Sequence, residues 1–210
     1  MITVYHLSSS RSERIVWLME ELGVDYRMEF HPREPNGAAP PAMKALHALG
    51  KAPVIRDGDR VLAESGAIVE YIVQKHGGGR LAVAPDAPGY ADYIYWMHFA
   101  EGSLMSLMLI ALVISRIPEA KESPVRTRVL DRMKQMLAFV DGEIAKRDYF
   151  AGDAFTAADV MMLFPFTTMR RYLEYDISPY ANIAAYLKRI EARPAYGRAM
   201  ALAGPDARAA

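Results

Sequence analysis

Lys51-Ala52-Pro53-Val54-Ile55, followed by Glu64-Ser65-Gly66-Ala67-Ile68, is the stretch that decides the reading of this chain. Pro53 has no N–H and a fixed φ, so it opens a strand or sits at its edge. Val54 and Ile55 continue as the strand, which leaves backbone beside the proline free to pair with an extended, peptide-like ligand. Val61-Leu62-Ala63 is the next short strand, and Glu64-Ser65 ends it and starts a helix. A serine hydroxyl and unpaired N–H groups at a helix start suit a carboxylate. Together the two segments describe a pocket for a small, charged peptide.

Outward from that core, periodicity supplies the remaining elements. Ile2 to Leu7 is a β-rich run, and Ile15, Leu18, Met19 and Leu22 recur at helical spacing before the stop at Gly23. Tyr26 to Phe30 reads as a strand, Pro32 to Pro41 as a loop and Ala42 to Leu49 as a short helix. Val54 to Arg56 turns at Asp57-Gly58 into Val61 to Ala63, and Ser65 to Lys75 closes the unit as a helix. The order βαβ-α-ββα predicts a small three-layer α/β domain over 1–77. Gly77-Gly78-Gly79 through Pro85 and Pro88 punctuates a linker over 78–89.

Residues 90–210 read as an all-helical domain. A long helix runs from Tyr90 to Ile117, and another is marked by Met133, Leu137, Val140 and Ile144. Phe155 to Tyr172, Tyr180 to Ala192 and Ala195 to Ala203 supply three more. Thr156 and Asp159 form a variant capping box with Phe155 and Val160 as a hydrophobic staple, and Pro165 should kink that helix. Only the last few residues read as disordered.

Composition narrows the function classes. Lys+Arg and Asp+Glu both stand at 25 among 210 residues, with 52% hydrophobic. The neutral balance offers no basic patch for nucleic acid, and Arg126, Arg128 and Arg170-Arg171 read as solvated helix faces. Cysteine is absent, which excludes disulfides, thiolate metal sites and Cys-x-x-Cys chemistry. The five histidines show no metal-ligand spacing, so no metal is expected. The opening residues lack a basic leader, and the apolar run Leu104 to Ile114 falls short of the ~18 residues of a membrane span. A cytoplasmic protein is the expectation.

The serine cluster ahead of the first helix completes the pattern: His6-Leu7-Ser8-Ser9-Ser10-Arg11-Ser12-Glu13-Arg14. With the Pro53 and Glu64-Ser65 segments, Tyr95-Trp96-Met97-His98-Phe99-Ala100-Glu101-Gly102 and Arg193-Pro194-Ala195-Tyr196, the chain resembles the soluble glutathione transferases over essentially its whole length. The resemblance is to a fungal and bacterial subgroup with a His-Leu-x-x-Ser-Arg-Ser-x-Arg motif. It implies a thioredoxin-like N-terminal domain, a helical-bundle C-terminal domain contributing an electrophile pocket, and a cis Ala52–Pro53 peptide. It also implies a homodimer acting in detoxification. Lacking cysteine, the chain falls outside the branches that use a catalytic cysteine.

The activity implied is conjugation of glutathione, as cosubstrate and without a cofactor, to small hydrophobic electrophiles, or reduction of organic hydroperoxides. A free thiol with pKa near 8.5 is only a few per cent thiolate at about pH 7, and a donated hydroxyl proton with a helix N-terminus would favour the anion. In serine-type relatives the catalytic serine stands four residues before the arginine of the first helix, which selects Ser10; Ser8 and, by the tyrosine-type pattern, Tyr5 are the alternatives. Plainer readings make Ser10 and Ser12 helix caps and Tyr5 a core aromatic. The resemblance assigns Glu64 and Ser65 to the γ-glutamyl end and turns the backbone of Ala52, Pro53 and Val54 toward the ligand. Lys51, by default an exposed lysine, can pair with the glycine carboxylate, and His47 is a further glutathione-binding candidate, though a lone histidine more often packs or faces solvent. A non-catalytic glutathione-binding protein or an interaction module of the same fold are the competing functions.

Overall fold

The computed structural model describes residues 1–207; the disorder expected at the very end falls on 208–210, outside the described residues. Two compact units divide the chain. The first comprises Met1–Ala82 together with the residues from Glu191 onward, and the second Val83–Ile190.

The first unit is built on a four-stranded mixed sheet: β1 (Ile2–Leu7), β2 (Tyr26–His31), β3 (Val54–Asp57) and β4 (Arg60–Ala63), in the order β2-β1-β3-β4. β1 runs parallel to β2 and antiparallel to β3, which pairs antiparallel with β4. Parallel neighbours need a crossover, supplied by α1 (Glu13–Leu22). Its apolar residues Ile15, Leu18, Met19 and Leu22 are all buried, as periodicity predicts. Gly23 ends the helix at φ 60°, and its N–H donates to the Met19 carbonyl. That left-handed conformation suits a residue without Cβ.

α2 (Pro41–Leu46) precedes the Pro53 segment, and α3 (Ser65–Lys75) follows β4 and packs against α1. α3 buries Ile68, Val69, Ile72 and Val73. The side chains of β1 alternate, so Ile2, Val4 and His6 share one face and Tyr5 and Leu7 the other; all five are buried. This sheet with its helices is the thioredoxin-like layer arrangement that the resemblance implied.

The second unit holds α4 (Tyr90–Phe99), a π-helical segment (Ala100–Met105), α5 (Ser106–Ser115), a 3₁₀ turn (Pro118–Ala120), α6 (Pro124–Ile144), α7 (Ala157–Phe166), α8 (Thr168–Leu173) and nearly all of α9 (Ala181–Glu191). Gly89 enters α4 at φ 86°, where a Cβ would meet the Ala151 carbonyl oxygen at 2.7 Å. The core is aromatic: Trp96 lies 4.8 Å from Phe150, which lies 5.0 Å from Tyr186.

Three expectations change. The helix read as unbroken from Tyr90 to Ile117 carries the π-helical segment, where the Ser106 hydroxyl donates to the Glu101 carbonyl at 2.8 Å, five residues back. The run 90–115 is also longer than the apolar core 104–114, and by length and composition alone it could cross a membrane. One face of it, including Trp96, Met97, Leu104, Met108 and Ala111, is buried within its unit.

The kink at Pro165 is a full break. α7 ends at Phe166 and α8 restarts after Thr167, whose φ and ψ are −106° and −97°. A proline leaves the carbonyl four residues earlier without its donor. Pro165's own carbonyl accepts the Tyr175 hydroxyl at 2.9 Å.

Finally, α10 (Pro194–Ala203) belongs to the first unit, against α1, although by sequence 90–210 reads as one all-helical domain. Nothing local in the sequence announces that return.

Candidate functional site in the first unit

The sheet register assembles the candidate residues. Val54 pairs with Tyr5 on one side and Ala63 on the other, so both ladders of β3 begin at the same row. Beyond that row, at one end of the sheet, lie the three segments singled out in the sequence. They are Ser8–Ser10 after β1, Lys51–Pro53 before β3, and Glu64-Ser65 after β4. The Ala52–Pro53 peptide is cis. Pro53 and Val54 are buried, Ala52 is half-buried and Lys51 is exposed.

Glu64 sits at φ 71° and ψ 120°, a conformation costing a non-glycine residue on the order of 1–3 kcal/mol. Its side chain makes no capping bond to α3, so the plain cap reading fails there. Ser65, the first helical residue, is buried, and the exposed Glu64 stands directly before it. The first N–H groups of a helix have no intrahelical acceptor, which leaves an electropositive helix start beside this glutamate and serine.

The serine loop is held from several directions. Ser8 N–H donates to the His31 carbonyl at 2.9 Å. The Arg33 guanidinium donates to the carbonyls of Ser8 (2.9 Å), Ser9 (3.1 Å) and Gly37 (2.8 Å), tying this loop to the proline-rich one. Arg33 carried no signal in the sequence, since a lone arginine in a loop has no periodicity or motif to mark it.

Ser10 is only 6% exposed, and its Oγ accepts the Ser12 N–H at 3.3 Å, a serine turn that serves as a local cap. Ser12 occupies the N-cap position without a side-chain capping bond. Its Oγ instead lies 2.7 Å from Ser10 Oγ and 2.8 Å from His6 Nδ1, and accepts the Leu7 N–H at 3.2 Å. His6 is fully buried, and burial, with His31 nearby adding a smaller effect, pushes its pKa down to about 4. His6 and Ser12 stood in the quoted motif, but only the alternation of β1, which turns His6 inward, hints at their meeting.

The other candidates lie apart from this cluster. Tyr5 packs into an apolar group with Met43 and Val54, as a core aromatic does. His47 ends α2, and its Nδ1 accepts the Leu49 N–H at 3.4 Å. Among the described residues no group of three or more histidines and carboxylates is disposed to hold a metal ion.

Comparison with known proteins adds a second line. Residues 8–75 match the family described as glutathione S-transferase, N-terminal domain, and 104–194 the glutathione S-transferase, C-terminal domain. Glutathione S-transferase 3 of Schizosaccharomyces pombe is 36% identical over 208 residues, covering 93% of this chain and 85% of that protein. Glutathione S-transferase 1 of Saccharomyces cerevisiae is 30% identical, with 93% and 92% covered. A crystal structure of a glutathione S-transferase from Actinobacillus pleuropneumoniae superposes with a TM-score of 0.89 at 34% identity, covering 98% of this chain and 95% of that one. A sphingomonad glutathione S-transferase complexed with glutathione, 23% identical, shares the fold with a TM-score of 0.77 over 96% of this chain and 98% of that one.

Proposed function

We propose that this chain, which belongs to the glutathione S-transferase family, joins the thiolate of glutathione to small hydrophobic electrophiles, with Ser10 as the hydroxyl that stabilises the thiolate. The carrying observation is the buried Ser10 Oγ just ahead of α1, at the end of the sheet that also holds Pro53 and Glu64-Ser65. There a donated hydroxyl proton and the helix N-terminus both favour a sulfur anion. The packing of Tyr5 into an apolar cluster favours Ser10 over it, and Ser8 remains the second serine of the loop.

The other roles are those the family resemblance implies. The backbone of Ala52, Pro53 and Val54 lies along the cysteinyl segment of glutathione. Glu64 and Ser65 receive its γ-glutamyl end at the start of α3, Lys51 pairs with the glycine carboxylate, and His47 stands nearby. In the reaction the sulfur electron pair forms the new S–C bond, the leaving group departs with the pair of the bond that breaks, and the thiol proton goes to solvent. Positioning and thiol activation carry the catalysis. A reduced thiol as cosubstrate fits a cytoplasmic enzyme, where thiols are kept reduced.

The chain assembles as a two-fold homodimer. Ile94, Tyr95, Leu109, Ile110 and Val113 are exposed on one helical run, Ile110 by 54% and Val113 by 61%, and closed two-fold pairs are the commonest way to cover such a face. Light scattering at micromolar concentration should give twice the chain mass; a monomer would contradict this.

The test of the activity is a panel of electrophiles and organic hydroperoxides offered with glutathione. Turnover of an electrophile is the expected result, and turnover of a hydroperoxide would extend the reaction to peroxide reduction. Tight glutathione binding without turnover would make the chain a binding protein. No binding would leave an interaction module of this fold.

A further inference from the structure

We propose that His6, protonated on Nδ1, and Ser12 form a buried positioning relay that turns the hydroxyl proton of Ser10 outward, toward the bound sulfur. The proposal rests on the reading of Ser10 given above. It follows from counting protons around Ser12 Oγ, which has one to give and four neighbours.

Leu7 N–H is a committed donor to Ser12 Oγ at 3.2 Å. The Leu7 carbonyl, at 3.4 Å, is a poor acceptor beside the contacts at 2.7 Å to Ser10 Oγ and 2.8 Å to His6 Nδ1. The single Ser12 proton therefore goes either to the histidine or to Ser10, and the histidine tautomer decides which.

If His6 carries its proton on Nε2, Nδ1 is a bare acceptor and takes the Ser12 proton. The contact at 2.7 Å must then be made with the proton of Ser10. That hydroxyl points inward and presents only lone pairs to a sulfur anion. The Nε2–H would also be a buried donor without an acceptor, because His6 Nε2 has no hydrogen-bond partner among the described residues.

If the proton is on Nδ1, each bond runs the other way. His6 donates to Ser12, Ser12 donates to Ser10, and the proton of Ser10 is left over for an external acceptor. Nε2 is then an unpaired acceptor. Among backbone groups, orphaned buried N–H donors are rarer than under-satisfied carbonyl acceptors, and the same preference carried over to the imidazole favours this tautomer. The doubly protonated form is excluded at neutral pH by burial, which holds the imidazole neutral down to about pH 4. Ser10 also accepts the Ser12 N–H at 3.3 Å, so its lone pairs are engaged inward while its proton is free. His6 touches no substrate; it acts through Ser12 and Ser10.

The direct test is nitrogen-detected NMR of histidine-labelled protein at pH 7, with the His6 signals assigned by their loss in His6→Asn. A protonated Nδ1 and bare Nε2 are expected, and a protonated Nε2 overturns the relay. The functional test reads the pKa of bound glutathione from thiolate absorbance, with the affinity for S-methylglutathione, which has no ionisable thiol, as the control for an intact site. His6→Ala, which leaves the Ser10–Ser12 bond free to run either way, should raise the thiol pKa by about one unit, a tenfold change in proton affinity, and leave the control unchanged. His6→Asn, whose amide N–H can stand where Nδ1–H stood, should restore most of the shift.

If Ser10→Ala raises the thiol pKa while His6→Ala does not, the relay is wrong and the role of Ser10 stands. If Ser10→Ala itself is silent, the reading of Ser10 falls and the relay's function with it. Should the alanine variants fail to fold, the tautomer in the unaltered protein still decides the direction of the bonds.

Discussion

Arg193 grips Glu21 through two parallel hydrogen bonds, Nε to Oε1 at 2.7 Å and Nη2 to Oε2 at 2.8 Å, across 172 residues of sequence. Trp17 Nε1 donates to the same Oε1 at 2.9 Å, and the Trp17 ring meets Tyr196 edge-on at 5.5 Å. Arg198 adds a bond to Glu20 Oε2 at 2.7 Å. The Arg193-Pro194-Ala195-Tyr196 segment is thus the clasp that holds α10 against α1, the helix that begins beside Ser10.

Arg193→Ala should destabilise the first unit by about 2–4 kcal/mol, because the Glu21 carboxylate, 7% exposed, is left without its partner. Arg193→Lys should recover only part of this, since an ammonium cannot make the two-pronged contact. Urea unfolding of the three proteins measures it. Equal midpoints for Arg193→Ala and the unaltered chain would show that apolar packing alone holds α10.

Arg33→Ala should loosen the serine loop without touching the core. Three carbonyls lose their donor, so the loop samples more conformations and glutathione must order it on binding. Turnover should fall and KM for glutathione rise, each several-fold, with little change in melting temperature. A large drop in melting temperature with unchanged kinetics would make Arg33 a purely structural clamp.

Ser10→Ala should lower turnover by about 10- to 150-fold, the equivalent of roughly 1.5–3 kcal/mol for a hydrogen bond to a charged group, while glutathione affinity changes little. Glu64→Ala and Ser65→Ala should do the reverse. If Ser10→Ala is silent and Tyr5→Phe abolishes the thiolate absorbance, the activating hydroxyl is that of Tyr5.

Thr156→Ala should cost about 1–2 kcal/mol and leave glutathione affinity unchanged. The Thr156 N–H and hydroxyl both donate to Asp159 Oδ2, at 2.8 and 3.1 Å, and Asp159 Oδ1 accepts Phe150 N–H and the Tyr186 hydroxyl. The capping box read in the sequence therefore also anchors the aromatic core. Calorimetry with a glutathione titration separates the two effects.

His6 and Asp159 should pull stability in opposite directions below neutral pH. His6 titrates near pH 4 when folded against an ordinary value of 6.5, so the unfolded chain binds the proton first as pH falls. Its contribution is fully present above pH 6.5 and is lost toward pH 4, about 3 kcal/mol in all. Burial raises Asp159 to about 6 from 3.8, so the folded chain protonates first and gains stability over much the same interval. If both units unfold together, the midpoint in urea should change little between pH 6 and 4. In Asp159→Asn only the histidine contribution remains, and the midpoint should fall steadily with pH. A flat profile in that variant would contradict the burial effect assigned to His6.

Sequence alone determined what depends on a residue and its near neighbours. Pro53 cannot donate, so a strand had to begin there; Gly23 tolerates a left-handed φ, so α1 had to stop; Thr156 and Asp159 satisfy each other within one turn. These constraints are local, and so is the order of elements they imply, from which the layer architecture follows. Only the tertiary structure decided the rest, because it rests on strand register and packing. Register brought Ser10, Pro53 and Glu64 to one end of a sheet. Packing sent His6 inward to Ser12, laid Arg33 across the serine loop, and returned α10 to Glu21. The π-helical segment at 100–105 and the break at Thr167 were hidden for a related reason. Hydrophobic periodicity reports which face of a helix is buried, and one extra residue in a turn, or one broken turn, leaves that face almost unchanged.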